Sequence, residues 1–240
     1  MDRHILVVGG SRGIGAATAH RCISLGDKVS VIYRSNQSAA EKMVQAGCAA
    51  FQADASDESE LSAAIAAAIE KNGPINGLVV SAGIFEGKKV EDMSVEFWDQ
   101  LMSVNLRATF LSVKHVVASM REAGGGSIVI YTSTAGQRGS AIFSAYATSK
   151  GAQILFMRSM AQELGPTIRV NCIAPSWTET EMADASLTAL GREDVAKGFV
   201  LGRIGLPDDV AKATCFLLGD DAGFITGTTV TVDGGSDMRG

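Results

Sequence analysis

The chain has 240 residues, 46% hydrophobic and 20% charged, with 27 glycines, 4 prolines, 6% aromatics and a net charge of −5. This composition excludes disorder, collagen and a disulfide scaffold, and the acidic balance argues against a nucleic-acid or anionic-membrane partner, which would need a basic surface. No apolar run approaches the roughly 18 residues of a membrane span, and the apolar run Ile5 to Val8 is too short for a signal-peptide core.

Short apolar runs rich in β-branched residues alternate with helical stretches along the whole chain. The runs are His4 to Val8, Lys28 to Tyr33, Ala49 to Ala53, Gly77 to Ser81, Gly126 to Thr132, Thr167 to Ile173 and Thr228 to Val232. Helical spacing of apolar positions fills Ile14 to Leu25, Gln37 to Ala46, Glu58 to Asn72, Phe97 to Glu122, Ser144 to Leu164 and Asp208 to Leu218. Continuous apolar strands separated by helices imply parallel strands buried on both faces. The pattern therefore predicts one doubly wound α/β domain of the Rossmann type over residues 1–240, with seven parallel strands and helices on both faces. The stretch from Ser176 to about Leu206 lacks clear periodicity and reads as a substrate loop. Cys22, Cys48, Cys172 and Cys215 show no paired spacing, and they read as reduced buried thiols of a cytoplasmic protein. His4, His20 and His115 are scattered and suggest no metal site.

The first strand runs into Gly9-Gly10-Ser11-Arg12-Gly13-Ile14-Gly15, which opens the first helix. Glycines at such a junction allow a tight turn and close approach of a pyrophosphate to backbone N–H groups, and the helix dipole favours the anion. An NAD site places an acid at the end of the second strand for the ribose 2′-hydroxyl, whereas an NADP site offers Arg to the 2′-phosphate. Here that strand ends Tyr33-Arg34-Ser35-Asn36, and Asp27 lies at its wrong end. Arg34, with Arg12 as a second guanidinium, therefore predicts NADP(H).

Tyr146 and Lys150 lie four apart at the start of a long helical stretch, on one helix face. A cation about 4 Å from a phenol, at an effective dielectric of about 20, favours phenolate by roughly 4 kcal/mol before desolvation. Tyr146 is thus expected to reach the range useful for proton transfer. Ser133, just beyond the fifth apolar run, falls at the carboxyl edge of the sheet where ligands bind, and its hydroxyl suits a substrate oxygen. Thr132 and Thr134 are rival hydroxyls that spacing does not exclude.

With these residues in place, the chain resembles the short-chain dehydrogenase/reductase family over essentially its whole length. The resemblance matches Gly9, Gly13 and Gly15 to the glycine loop, and Asp54, followed by Ala55, to the acid set against adenine. Ser133, Tyr146 and Lys150 match the catalytic serine, tyrosine and lysine, and Asn105 matches the asparagine of a water-linked proton relay. Pro175, Thr178 and Thr180 fall in the segment that holds the nicotinamide carboxamide, and Thr226-Gly227 and Val232 to Gly235 match the last strand and tail. Three positions depart: Val8 replaces Thr, Ser81-Ala82-Gly83 replaces Asn-Ala-Gly, and Ser176 replaces Gly after Pro175. Ser81 has a shorter reach than Asn, and Ser176 is expected to restrict the backbone beside the nicotinamide.

These features imply reversible hydride transfer between NADP(H) and a carbonyl or secondary alcohol, a small-molecule substrate, with Tyr146 as acid/base. The resemblance also implies a homotetramer. A related alternative is a 3-oxoacyl-carrier-protein reductase, which needs a basic cleft mouth; Arg107, Arg138 and Arg169 are its candidates. An alternative of another class is a non-catalytic dinucleotide-binding regulator. Phe85, Gln137, Phe143, Trp177 and Met182 read either as lining of a substrate pocket or as core packing.

Overall fold

The computed structural model describes residues 3–238. Its strands are β1 (His4–Val8), β2 (Lys28–Tyr33), β3 (Ala49–Gln52), β4 (Gly77–Val80), β5 (Gly126–Tyr131), β6 (Ile168–Pro175) and β7 (Thr229–Val232). They form one parallel sheet in the order β3-β2-β1-β4-β5-β6-β7. The doubly wound architecture read from the sequence is therefore the one observed. Strand order reverses between β1 and β4, so the crevice at the carboxyl ends of these two strands is where a ligand belongs.

Alternate residues divide the strands between two cores, as the period of two requires. Leu6, Val8, Ile32, Leu78, Val80, Ile128 and Ile130 face one side, with Leu61, Ile65, Leu111, Val116 and Met157. Those partners lie on the helices α3 (Glu58–Asn72), α5 (Ala108–Glu122) and α7 (Ser144–Leu164). Ile5, Val7, Val29, Val31, Val79, Val129 and Tyr131 face the other side. They pack with residues of α1 (Gly13–Ser24), α2 (Gln37–Gln45) and α10 (Pro207–Leu218).

Four segments differ from the sequence reading. The helix expected over Phe97 to Glu122 is α4 (Val95–Leu101), a π-helical segment (Met102–Arg107) and α5. The side chain of Asn105 explains the interruption: it is bound to both backbone groups of Ile84, while the backbone carbonyl of Asn105 accepts from Thr109 Oγ1 and Gln153 Nε2. The structure also adds α6 (Thr134–Arg138), a five-residue helix begun by Ser133, whose Oγ accepts from the Ala135 N–H at 3.1 Å. The stretch expected to be an irregular loop contains α8 (Glu181–Leu190) and α9 (Arg192–Lys197), separated at Gly191 with φ +80°. Thr180 caps α8, and Ala183, Leu187, Phe199 and Ile204 close a small apolar core of their own against Trp177. β6 runs on to Pro175 because residues Cys172 to Pro175 pair with β7.

Candidate active site

A cleft of about 590 Å³ opens at the carboxyl ends of the strands. On one side it is lined by Gly9, Ser11, Arg12, Gly13, Ile14, Arg34, Ser35, Asp54, Ala55, Ser81, Ala82 and Gly83. On the other it is lined by Ser133, Tyr146, Lys150, Pro175, Thr178 and Thr180. The structure thus gathers all but two of the sequence-predicted site residues. Gly15 and Asn105 stand behind the lining, and each supports it.

The cradle is made by backbone. A Cβ on Gly9 (φ +81°) would lie 2.5 Å from Ala82 N, and one on Gly15 would lie 2.3 Å from Gly9 O. Neither neighbour can move aside, so only glycine fits at either position. Arg12 precedes α1 in an extended conformation and gives it no side-chain cap, leaving the first N–H groups of the helix available at the cleft. Such a helix end suits a pyrophosphate, so the residues present fit a dinucleotide. At Ser81 the N–H donates to Val8 O at 2.8 Å, and the hydroxyl lies 2.9 Å from where a Gly15 Cβ would stand.

Arg34 lines the cleft at the end of β2, and its charge acts on Asp54. Burial pushes the Asp54 carboxyl up, but hydrogen bonds from the Ser56 hydroxyl and N–H, with the Arg34 charge, outweigh it and leave Asp54 below the usual carboxylate range. Arg12 donates to Glu181 Oε2 of α8 at 2.7 Å in an exposed pair.

At the far end of the cleft, Ser133 and Tyr146 line the wall together, and the Ser133 hydroxyl is near enough to act on the Tyr146 phenol. The rival hydroxyls border the same cleft, but Thr132 Oγ1 is committed to Lys150 O at 2.6 Å, and Thr134 is buried at the start of α6. Lys150 is buried, lies 5.8 Å from the Tyr146 ring centroid, and donates to Tyr131 O at 2.8 Å. One expectation is corrected here. Lys150 does not bring the Tyr146 phenol down; burial pushes it above its ordinary value, and the nearby Ser133 hydroxyl offsets only part. Burial acts on the ammonium too, pushing Lys150 down to about 8.

Asn105 is fully buried, accepting from Ile84 N at 2.8 Å and donating to Ile84 O at 3.1 Å and to Ser149 Oγ at 3.0 Å. It fixes the chain just after Gly83, where a Cβ would meet Asn105 Oδ1 at 3.2 Å and Lys150 Nζ at 3.5 Å. Among the described residues, Ile142 alone of the non-glycines has positive φ, so Ser176 adopts a backbone that needs no glycine.

Phe85, Phe143, Trp177 and Met182 line the cleft, whereas Gln137 turns away to Thr231. Arg169 is also corrected. It is partly buried and donates to the carbonyls of Leu217 and Gly219, so it closes the end of α10 instead of facing a partner. Arg107 is exposed, and Arg138 lines the cleft, 3.6 Å from Asp237.

Two contributors were not legible in the sequence. Tyr131 supplies the carbonyl that receives Lys150, while its hydroxyl bridges Thr18 of α1 (2.6 Å) and Thr214 of α10 (2.7 Å). Gly136 lets α6 touch α7: a Cβ there would lie 2.6 Å from Lys150 C and 2.8 Å from Gly151 N. The pair of small residues Gly136 and Gly151 was the available signal.

A doubly wound sheet with a glycine cradle and an adjacent serine, tyrosine and lysine defines a nucleotide-dependent oxidoreductase. Comparison with known proteins agrees: a family model described as enoyl-(acyl carrier protein) reductase matches residues 8–237. The chain is 37% identical to the short-chain reductase protein NovJ of Streptomyces niveus, covering 96% of this chain and 92% of that one. It is 35% identical to an acetoacetyl-CoA reductase of Shinella zoogloeoides, covering 98% of both. A solved short-chain dehydrogenase/reductase from Brucella melitensis superposes with a TM-score of 0.94 at 29% identity, covering 99% of this chain and 98% of that one. The chain belongs to the short-chain dehydrogenase/reductase family, oxidoreductases of carbonyl and alcohol substrates that use nicotinamide cofactors.

Proposed function

We propose that this protein is a single-domain, NADP(H)-dependent carbonyl reductase or secondary alcohol dehydrogenase in which Tyr146 is the acid/base. The observation that carries the reading is the meeting of Ser133, Tyr146 and buried Lys150 at one end of a cleft whose other end is a glycine cradle. Gly9, Ser11, Gly13 and Ile14 would hold the pyrophosphate; Arg34, Ser35 and Arg12 the 2′-phosphate; Asp54 and Ala55 the adenine. Pro175, Thr178 and Thr180 would hold the carboxamide end. The bound dinucleotide supplies the hydride in reduction and accepts it in oxidation.

The chain's own residues manage the proton. Ser133 Oγ accepts from Ala135 N–H, so its own hydrogen is the one it would turn from Tyr146 to a substrate oxygen. Tyr146 gives its phenolic proton to the alkoxide oxygen in reduction and takes it back in oxidation. Lys150, cationic below about pH 8 and anchored on Tyr131 O, would bind the nicotinamide ribose, as the family resemblance implies. Asn105 positions the Ile84 backbone beside this group. Tyr146→Phe is expected to abolish turnover while leaving NADPH affinity within about threefold, since general acid/base removal is worth about 10²- to 10⁴-fold. Normal turnover in that variant would overturn the assignment.

Four buried free cysteines support a cytoplasmic setting, and exposed Phe110 and Leu155 on α5 and α7 support assembly into the homotetramer. Likeness to an acetoacetyl-CoA reductase favours a second reading, reduction of a thioester-borne 3-oxoacyl group, as on a carrier protein. With Arg169 committed to α10, Arg107 and Arg138 remain as its basic contacts. Comparing free ketones with 3-oxoacyl thioesters separates the two. NADPH oxidation with any carbonyl excludes the non-catalytic regulator.

A further inference from the structure

Three aromatic side chains from three separate segments meet beside the Ser133–Tyr146 pair. Phe85 follows β4, Phe143 immediately precedes α7, and Trp177 follows β6. Phe85 and Phe143 stack with centroids 4.5 Å apart and planes inclined by 7°. Phe85 also meets Tyr146 at 4.9 Å and 79°, and Trp177 at 5.7 Å and 90°. Phe85 is therefore the hub of a wall that includes the ring of Tyr146 itself.

The chain adopts unfavourable geometry to build this wall. Ile142, β-branched, sits at φ +59° directly before Phe143. Gly87 is required on the opposite side, because a Cβ there would lie 2.7 Å from Phe143 Cδ1 and Cε1 and 2.9 Å from Ile142 O. Strain of this kind persists only where surrounding structure enforces it, and it clusters at ligand sites. None of these features serves the cofactor cradle.

We propose that Phe85, Phe143 and Trp177 select substrates bearing a planar apolar ring next to the reacting carbon, that is, aryl or cyclic unsaturated ketones and their alcohols. The inference rests on the reading that Ser133 and Tyr146 hold the reacting oxygen. Rings at right angles leave a corner in which a flat group lies on one ring's face and against another's edge, an arrangement favoured by the ring quadrupoles. An alkyl chain gains no such term and loses more rotamer freedom on binding. Arg138, a cation on this side of the cleft, is paired with Asp237, which disfavours a carboxylate at the same place.

The test compares acetophenone, butan-2-one and pyruvate as substrates with NADPH, in the wild type and in Phe85→Leu, which keeps apolar volume but removes the ring. The wild type is expected to favour acetophenone over butan-2-one in kcat/KM by at least about tenfold, and Phe85→Leu to reduce that ratio roughly 3- to 10-fold, the size of one or two aromatic contacts. An unchanged ratio, or a wild type that prefers butan-2-one or pyruvate, overturns the proposal. Calorimetric binding of 1-phenylethanol to the protein saturated with NADPH separates this inference from the catalytic reading. Binding that survives in Tyr146→Phe but weakens in Phe85→Leu supports the wall even if no ketone turns over. Equal binding in the wild type and Phe85→Leu refutes it.

Discussion

The two ends of the cleft are built by different means. The cofactor end is backbone: Gly9 and Gly15 fit because nothing larger would, and the start of α1 offers bare N–H groups. The substrate end is side chain: Phe85, Phe143, Trp177, Ser133 and Tyr146 arrive from distant segments and owe their places to one another. A backbone site depends on a few residues contiguous in sequence. A side-chain site depends on packing across the fold.

The comparison is tested most severely where the two ends join, at Lys150. Lys150→Met is expected to lower kcat by about 10²- to 10⁴-fold, the range for losing a group engaged in proton transfer. Stability should hardly change, because removing a buried ammonium held down near 8 relieves desolvation while Tyr131 O loses its donor. Thermal unfolding and steady-state kinetics on one preparation check both halves; a large fall in Tm with modest loss of kcat would make Lys150 structural. Confined to the cofactor end, Arg34→Ala is expected to raise the KM for NADPH about 10- to 100-fold, the value of charge-assisted hydrogen bonds to the 2′-phosphate. The KM for NADH and the preference among ketones should stay in place. Equal losses with both cofactors would show that Arg34 does not read the phosphate.

Legibility followed the same division. The strands, the glycine cradle and the Ser133, Tyr146, Lys150 set were readable because each depends on local spacing or strand periodicity. Arg169 was misread because its burial at the end of α10 depends on the Leu217 and Gly219 carbonyls, more than forty residues along the chain. The lowered Tyr146 pKa was misjudged because helical spacing brings Lys150 near but does not measure desolvation. Phe85, Phe143 and Trp177 were suspected without their arrangement, since a ring angle is a property of packing. The helices α8 and α9 escaped notice because their short apolar stripes close a private core instead of joining the main one.

Gly136 tests the substrate end without touching any ligand group. Gly136→Ala places a methyl against the Lys150 and Gly151 backbone, and overpacking of this kind costs about 1–3 kcal/mol. Tm should fall by roughly 2–12 °C at about 2–4 °C per kcal/mol. Because α6 begins at Ser133, kcat should fall as well, with cofactor affinity preserved. Unchanged kcat would mean that α7 carries Tyr146 independently of α6.

The smallest effect is expected at the edge of the sheet opposite the cleft, where both ends should respond alike. His4, buried at the start of β1, contacts Gly73 O through Nδ1 and Ser30 Oγ through Nε2, each at 2.8 Å, while Asn72 Nδ2 donates to the same Ser30 oxygen at 2.9 Å. Nδ1–H donating to a carbonyl leaves Nε2 to accept, so the neutral ring fits the site. Burial, more than the nearby Lys28 charge, holds the His4 pKa below 6.5 in the folded protein, against the backbone bond to Gly73. The unfolded chain therefore takes up this proton first as pH falls. The stability that neutral His4 contributes is intact above about pH 6.5 and lost progressively below it, with a slope of at most about 1.4 kcal/mol per pH unit for one proton. His4→Gln should flatten the dependence of unfolding free energy between pH 7 and 5.5 relative to the wild type. Because His4 touches neither end of the cleft, NADPH affinity and ketone preference should move together, and only when the fold itself begins to open. A selective change in one of them at mild acidity would mean that the sheet transmits strain from its far edge to one half of the cleft.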